Sequence, residues 1–127
     1  MGHSAWLLPA STPGQVTGGG QAPALDGRIA FGFNAQNRQS GPKGNCDVVD
    51  ATSNVHVKCL SVTSLVVAGT HATFFGSATI NAVVTNYRID VDDLGEPGAG
   101  RDTFKIQTDT GFVAGGVLTS GSIQIHQ

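Results

Sequence analysis

Hydrophobic and polar residues alternate along much of this chain with a period of two, which is typical of half-buried β-strands. The alternation is clearest between residues 83 and 107. There, one face of a first strand carries apolar or weakly polar residues, namely Thr85, Tyr87, Ile89 and Val91. After a glycine- and proline-rich break, the same period returns at Phe104 and Ile106. The pattern predicts a strand, an acidic turn and a second strand.

The same alternation recurs in other segments, including residues 28 to 36 and residues 71 to 81. Residues 37 to 44 contain Gly, Pro and polar side chains and are predicted to form a loop. Short strands at this spacing favour an all-β fold, an antiparallel β-sandwich of about eight or nine strands, with a partly open β-barrel as the alternative. Its core is expected to bury residues from separate strands, namely Phe31, Phe33, Phe74, Ile89, Phe104 and Ile125.

The length of 127 residues indicates one domain. Residues 15–127 are assigned to a single β-sandwich domain. Residues 1–14 contain two prolines among small polar residues and are predicted to be a flexible N-terminal arm or an expression-derived remnant.

The two cysteines lie in a segment, residues 45 to 62, that is predicted to form a hairpin. If its turn is centred between Thr52 and Ser53, opposed residues have numbers that sum to 105. Cys46 then faces Cys59 on the side of the hairpin that also carries the valines. Directly opposed Cβ atoms lie about 4.5–5.5 Å apart, close to the separation a disulfide requires. The register therefore predicts a Cys46–Cys59 disulfide, with two reduced thiols in the core as the alternative.

Composition narrows the range of functions. The formal net charge is −2 and only 13% of residues are charged, which does not favour nucleic acid as a partner. No apolar run approaches the length of about 20 residues that spans a bilayer, so no membrane span is expected. A cysteine pair together with abundant Thr, Ser, Asn and Gly favours an exported protein, either extracellular or on the cell surface.

The acidic turn is the densest cluster of chemical groups in the sequence, with five carboxylates, Asp90, Asp92, Asp93, Glu96 and Asp102. Carboxylates and turn carbonyls are ligands for calcium, which is the only cofactor the sequence suggests. The alternative is a solvated turn in which Arg88 or Arg101 forms ion pairs with the carboxylates. Turns favour Asp and Gly for conformational reasons alone, so the cluster does not indicate an enzyme and no catalytic residue is assigned.

Aromatic residues and histidines are the remaining candidate site residues. Few aromatic residues are expected outside the core, namely Trp6, Phe75 and Phe112, and these are the candidates for stacking on sugar rings. The four histidines are far apart in sequence and are predicted to be surface residues.

Several segments resemble the post-COAP family of small bacterial extracellular β domains: FGFNAQ, PKGNCDVVD, DDLGEPGAGRDTFKIQT and the ending GGVLTSGSIQIHQ. The resemblance covers roughly residues 15 to 127. It implies a β fold and an exported, multidomain setting, and it implies no activity. The paired cysteines stand where the family has ordinary strand residues.

These observations favour a non-enzymatic structural or adhesion module of an exported bacterial surface or secreted protein. One alternative is a module that binds carbohydrate or another ligand. A further alternative is a subunit of an extracellular fibre or homo-oligomer, in which residues 4 to 20 add a strand to a neighbour's sheet. The expected partners are neighbouring domains or subunits, or glycans.

Overall fold

The structure is a computed structural model that describes residues 14–24 and 27–126. Within these ranges it contains ten β-strands and no helix. The strands are β1 (Gln15–Ala24), β2 (Gly27–Arg38), β3 (Gly41–Asp50), β4 (Val55–Cys59), β5 (Ser64–Ala68), β6 (His71–Ile80), β7 (Val83–Asp92), β8 (Thr103–Thr108), β9 (Val113–Val117) and β10 (Ser120–His126). Residues 1–13 of the predicted arm lie outside the described residues.

All ten strands belong to one antiparallel sheet with the order β10-β1-β2-β3-β4-β6-β7-β8-β9, and β5 pairs with β6 beside β4. The sheet curls strongly, so that β9 packs against β1 without pairing with it. The all-β antiparallel prediction is confirmed, in the form of a partly open barrel. The strand number exceeds the predicted eight or nine.

The concave side of the sheet holds a single hydrophobic core. Its centre is a group of aromatic rings in which Phe31 stacks on Phe104 with centroids 4.0 Å apart, and Phe33 lies 5.5 Å from Phe74. These four residues are buried, as predicted, and so is Ile89. Ile125 was also expected to be buried but is only partly so. It lies one residue before the end of β10, opposite the fully buried Val16 of β1.

The predicted hairpin forms with the predicted register. Val48 faces Val57 and Asp47 faces Lys58, and both pairs have numbers that sum to 105. Cys46 and Cys59 continue this register and form a disulfide with a Cα–Cα distance of 4.9 Å. The β3–β4 pairing ends at this point, and Cys59 of β4 pairs instead with Ala78 of β6. The disulfide closes a loop of about fourteen residues, and the loss of chain entropy in the unfolded state is expected to stabilise the fold by about 3 kcal/mol.

The predicted loop at residues 37 to 44 is wrong. Strand β2 continues to Arg38 and β3 begins at Gly41, so only two residues form the turn between them. Gly44 lies inside β3, where a Cβ atom would come within 2.2 Å of the Asn34 carbonyl oxygen. The glycine therefore serves a close approach of two strands, and the polar residues around it lie on strands.

The Phe31–Phe104 stack leads to a prediction about stability. Phe104 is fully buried, so Phe104→Ala removes a ring from the centre of the core and should lower the free energy of unfolding by about 3–5 kcal/mol. Urea denaturation measures the loss. Val84→Ala is the control, because the Val84 side chain is 68% exposed and its truncation should cost less than about 0.5 kcal/mol. Equal losses for the two variants would contradict the assignment of the core.

Candidate functional site: the acidic loop and the outer face of β6 to β8

The five carboxylates of the acidic stretch do not converge on one point. Asp90 and Asp92 lie on the outer face of β7, whereas Asp93, Glu96 and Asp102 belong to the loop that connects β7 to β8. The two groups have different hydrogen-bond partners and different environments, and they are considered separately.

Asp102 is a fully buried carboxylate that accepts backbone hydrogen bonds from two directions. Its Oδ1 atom accepts from the amides of Leu94 at 2.8 Å and Gly95 at 3.2 Å, within its own loop. Its Oδ2 atom accepts from the amide of Ile123 in β10 at 2.7 Å. Hydrogen bonds to an ionised acceptor are stronger than those between neutral groups. Asp102 therefore fixes the fold of the loop and fastens the loop to β10.

The other loop carboxylates also face β10. Asp93 Oδ2 accepts from the amide of Ile125 at 3.0 Å, and Glu96 Oε1 lies 3.4 Å from the side-chain amide of Gln124. In the described chain β10 pairs with β1 alone, which leaves its second edge without a strand partner. Unpaired strand edges promote association with other chains. Carboxylates that accept from the amides of this edge occupy donors that an added strand would use.

Asp90 and Asp92 form a second network on the outer face of the sheet. Asp92 accepts from Thr103 Oγ1 at 2.6 Å and lies 2.8 Å from His71 Nδ1. Asp90 accepts from Thr73 Oγ1 at 2.6 Å and from Arg88 Nε at 2.8 Å. Of the two arginines considered for ion pairs, Arg88 forms one, and Arg101 forms none within the described chain.

The surroundings of Asp90 shift the pKa of its carboxyl group. Partial burial by itself raises the pKa of Asp90, but hydrogen bonds from Arg88 and Thr73 and the nearby charges of Arg88 and His71 outweigh this effect and lower the pKa below its ordinary value. A carboxyl group with a lowered pKa stabilises the fold at neutral pH, and the contribution disappears as the pH falls through the folded-state value. Asp90 is therefore ionised and paired under physiological conditions.

The structure gives calcium no obvious ligand set. No three His, Cys, Asp or Glu side chains within residues 14–24 and 27–126 lie close enough together to hold a metal ion. The carboxylates instead accept hydrogen bonds from backbone amides, hydroxyl groups, Arg88 and His71. Calcium binding at Asp90, Asp92, Asp93, Glu96 and Asp102 stays a prediction.

The outer face of β6, β7 and β8 carries side chains in straight cross-strand rows. The register places Thr73 beside Asp90 and Lys105, and it places Phe75 beside Arg88 and Gln107. Two further rows flank these, one formed by His71, Asp92 and Thr103, and the other by Ser77, Asn86 and Asp109. These rows face outward because the intervening residues of each strand are buried in the core. We call this surface the β6–β8 face.

A groove of about 460 Å³ crosses the β6–β8 face, and Phe75 is its only aromatic side chain apart from the buried Tyr87. Phe75 is 37% exposed, and the Arg88 guanidinium lies over its ring at 5.5 Å from the centroid. On the neighbouring row, Asn86 Nδ2 donates to Asp109 Oδ2 at 3.1 Å. We call this the Phe75 groove. It combines one aromatic ring with amide, guanidinium and carboxylate groups that are held in place by neighbours.

The other sequence-predicted aromatic candidates do not join this groove. Phe112 packs against the edge of the core and is partly buried. Trp6 lies outside the described residues. Phe75 is thus the exposed aromatic residue that the structure places in a groove, and its outward position was predicted from the alternation in β6.

His71 is a residue whose environment the sequence analysis missed. Its Nδ1 atom lies 2.8 Å from Asp92 and its Nε2 atom lies 3.0 Å from Thr73 Oγ1. A carboxylate, a histidine and a hydroxyl group in this order are also the residue types of a catalytic triad. In a triad the hydroxyl donates its proton to histidine. Here the Thr73 hydroxyl donates to Asp90 instead, so the histidine is not placed to activate it. The network is better explained as a hydrogen-bonded lattice on the sheet surface.

The strand addition predicted for a fibre conflicts in part with the pairing of β1. Residues 15–20, which were expected to add a strand to a neighbour, lie in β1 and pair with both β2 and β10 of their own chain. A strand donated to another molecule would have to break these pairs. The remaining part of the predicted donor, residues 4 to 13, lies outside the described residues.

No protein-family model, no curated protein and no solved structure matches this chain. The resemblance to the post-COAP family therefore stays a prediction. No helix in the part of the chain that the structure describes is long and apolar enough to cross a membrane. The Cys46–Cys59 disulfide is compatible with an extracellular location, because disulfides persist in oxidising compartments.

The buried Asp102 carboxylate leads to a second prediction. Asp102→Asn keeps the size of the side chain but turns one acceptor oxygen into an amide that faces backbone N–H groups. The free energy of unfolding should fall by at least about 1.5–3 kcal/mol, the contribution of one hydrogen bond to a charged group. The exposed Asp47, which pairs with His56, supplies the control Asp47→Asn, expected to cost about 0–1 kcal/mol. A loss no larger than that of the control would show that Asp102 does not hold the loop.

A third prediction concerns calcium. Because the carboxylates are already compensated by protein donors, removal of calcium with a chelator should leave the melting temperature unchanged. A bound calcium ion would instead add RT ln(1 + [L]/Kd) to the stability, about 2.7 kcal/mol at a hundredfold excess over Kd. Thermal unfolding with chelator and with added calcium separates the two cases. A fall of several degrees that calcium reverses, and that Asp92→Asn abolishes, would establish a metal site.

Proposed function

We propose that this protein is a non-enzymatic adhesion module of an exported bacterial protein, and that the β6–β8 face is its contact surface. The observation that carries the proposal is the arrangement of this face. Hydrogen bonds link most of its polar side chains to one another across the strands, around one exposed aromatic residue. Side chains that are already ordered lose little conformational entropy on binding, which favours recognition by a rigid surface.

Four further features support an exported binding role. The disulfide fits an oxidising compartment, and the resemblance to the post-COAP family implies an exported, multidomain setting. Three carboxylates of the acidic stretch accept hydrogen bonds that stabilise the fold, namely Asp90, Asp92 and Asp102. The carboxylates on the β10 edge occupy donors that an added strand would need, which favours contact with a partner through a face of the sheet.

Adhesion can be measured with beads that carry the protein, in laminar flow over surfaces coated with bacterial cell-wall material, mucin or extracellular-matrix protein. Beads with the unchanged protein should be retained on at least one surface more strongly than beads with albumin. The double variant Asn86→Ala, Gln107→Ala should reduce this retention, because both side chains are exposed and line the Phe75 groove.

Lys43→Ala is the matched control, since Lys43 is an exposed polar residue of β3 outside the β6–β8 face. Its retention should equal that of the unchanged protein. Circular dichroism and thermal unfolding of each variant verify that the fold is intact. Retention no higher than that of albumin on every surface, or equal retention of the double variant, would overturn the proposal.

A further inference from the structure

The Phe75 groove has the dimensions of a site for a small ligand or a short segment of a polymer. Its volume of about 460 Å³ falls within the range of about 300–1,000 Å³ that is common for small-molecule sites. A protein partner would instead need a contact of roughly 800 Å² on each side. The groove is therefore suited to a small ligand, or to one unit of a polymer, that is bound by a few side chains.

One wall of the groove is formed by an aromatic ring with a guanidinium group above it. Arg88 lies over the Phe75 ring, and its Nε and Nη2 atoms donate to Asp90 at 2.8 and 3.2 Å. These bonds fix the orientation of the guanidinium above the ring, and Phe75 remains 37% exposed beside it. Flat surfaces of this kind stack against flat, partly apolar ligands.

The rest of the lining offers hydrogen-bond donors and acceptors at a short distance from this wall. The Gln107 side-chain amide has no hydrogen-bond partner within residues 14–24 and 27–126, so both its donor and its acceptor are available. The Asn86 side chain donates from Nδ2 to Asp109 Oδ2, which leaves Asn86 Oδ1 and Asp109 Oδ1 as acceptors. A ligand that matches this groove has an apolar face and an edge with several hydroxyl groups.

The charges of the lining argue against an anionic ligand. Arg88 and Asp109 are the only charged residues among those that line the groove, and their charges are of opposite sign. Arg88 is in addition neutralised by Asp90. An anionic ligand would therefore find no uncompensated cation in the groove and would meet the Asp109 carboxylate, which can instead accept hydrogen bonds from the hydroxyl groups of a neutral ligand.

We propose that the Phe75 groove binds a sugar ring of a neutral polysaccharide or glycan. The C–H face of the ring stacks on the wall formed by Phe75 and Arg88, and its hydroxyl groups bind Gln107, Asn86 and Asp109. This inference rests on the proposed adhesion function and names the chemical class of its ligand. The rows that flank the groove along the strands provide contacts for neighbouring sugar units of a chain.

The test is an array of immobilised neutral oligosaccharides, namely β-glucans, mannans and galactans, with uronate-containing and sulfated ones as anionic probes. The unchanged protein should bind at least one neutral probe. Phe75→Ala should weaken that binding about tenfold or more, which corresponds to about 1.4 kcal/mol. Phe75→Tyr keeps an aromatic ring and should retain binding, which separates loss of stacking from loss of fold.

Val66→Ala is the matched control, because Val66 is an exposed apolar residue of the adjacent strand β5 that does not line the groove. Binding of this variant should be unchanged. The inference is overturned if no neutral probe is bound, if only anionic probes are bound, or if Phe75→Ala binds neutral probes as well as the unchanged protein does.

The bead assay distinguishes this failure from a failure of the adhesion proposal. Retention that depends on Asn86 and Gln107, together with an empty neutral-glycan array, would overturn the sugar ligand and leave the adhesion surface intact. Absence of retention on every surface, together with an empty array, would overturn both.

Discussion

The structure depends on one buried carboxylate. Asp102 is fully buried, and its two oxygen atoms join the loop after β7 to the edge of β10, two segments that are far apart in the sequence. A polar side chain in such a position is tolerated only when hydrogen bonds replace the water it has lost. Three backbone amides do so here. The bond to Ile123 joins the loop to the second edge of β10, and the bond from Ile125 to Asp93 occupies a further donor of the same edge.

This constraint changes the interpretation of the acidic stretch. A cluster of carboxylates in a turn suggests a cation, yet each carboxylate has its own donors in the protein. Asp93 and Asp102 accept backbone amides of β10, whereas Asp90 pairs with Arg88 on the outer face. Carboxylates that are close in sequence are separated in space because the strand ends between Asp92 and Asp93. The candidate site consequently moves to the β6–β8 face, where strand register aligns Phe75, Arg88 and Gln107.

The local features of the fold could be predicted from short stretches of the sequence. Alternation placed Phe31, Phe74 and Phe104 in the core and Phe75 outside it, because neighbouring side chains of a strand point to opposite faces. The hairpin register followed from a single assumption about its turn, and it predicted the Cys46–Cys59 pair. The loop predicted for residues 37 to 44 was too long, because glycine and proline within β3 resemble the signal of a loop, and only residues 39 and 40 form the turn. In the fold, Gly44 allows a close contact between strands.

The sequence by itself determined the strand periodicity, the inward residues and the disulfide, because these depend on neighbours along one strand or across one hairpin. Only the tertiary structure decided that the sheet curls into one open barrel, and that Asp102 faces β10. It also decided which outward residues form the Phe75 groove. These outcomes depend on contacts between distant segments, such as Asp102 with Ile123, and on the lateral order of strands. Alternation along a strand carries no information about which strand lies beside it, and for that reason the groove could not be read from the sequence.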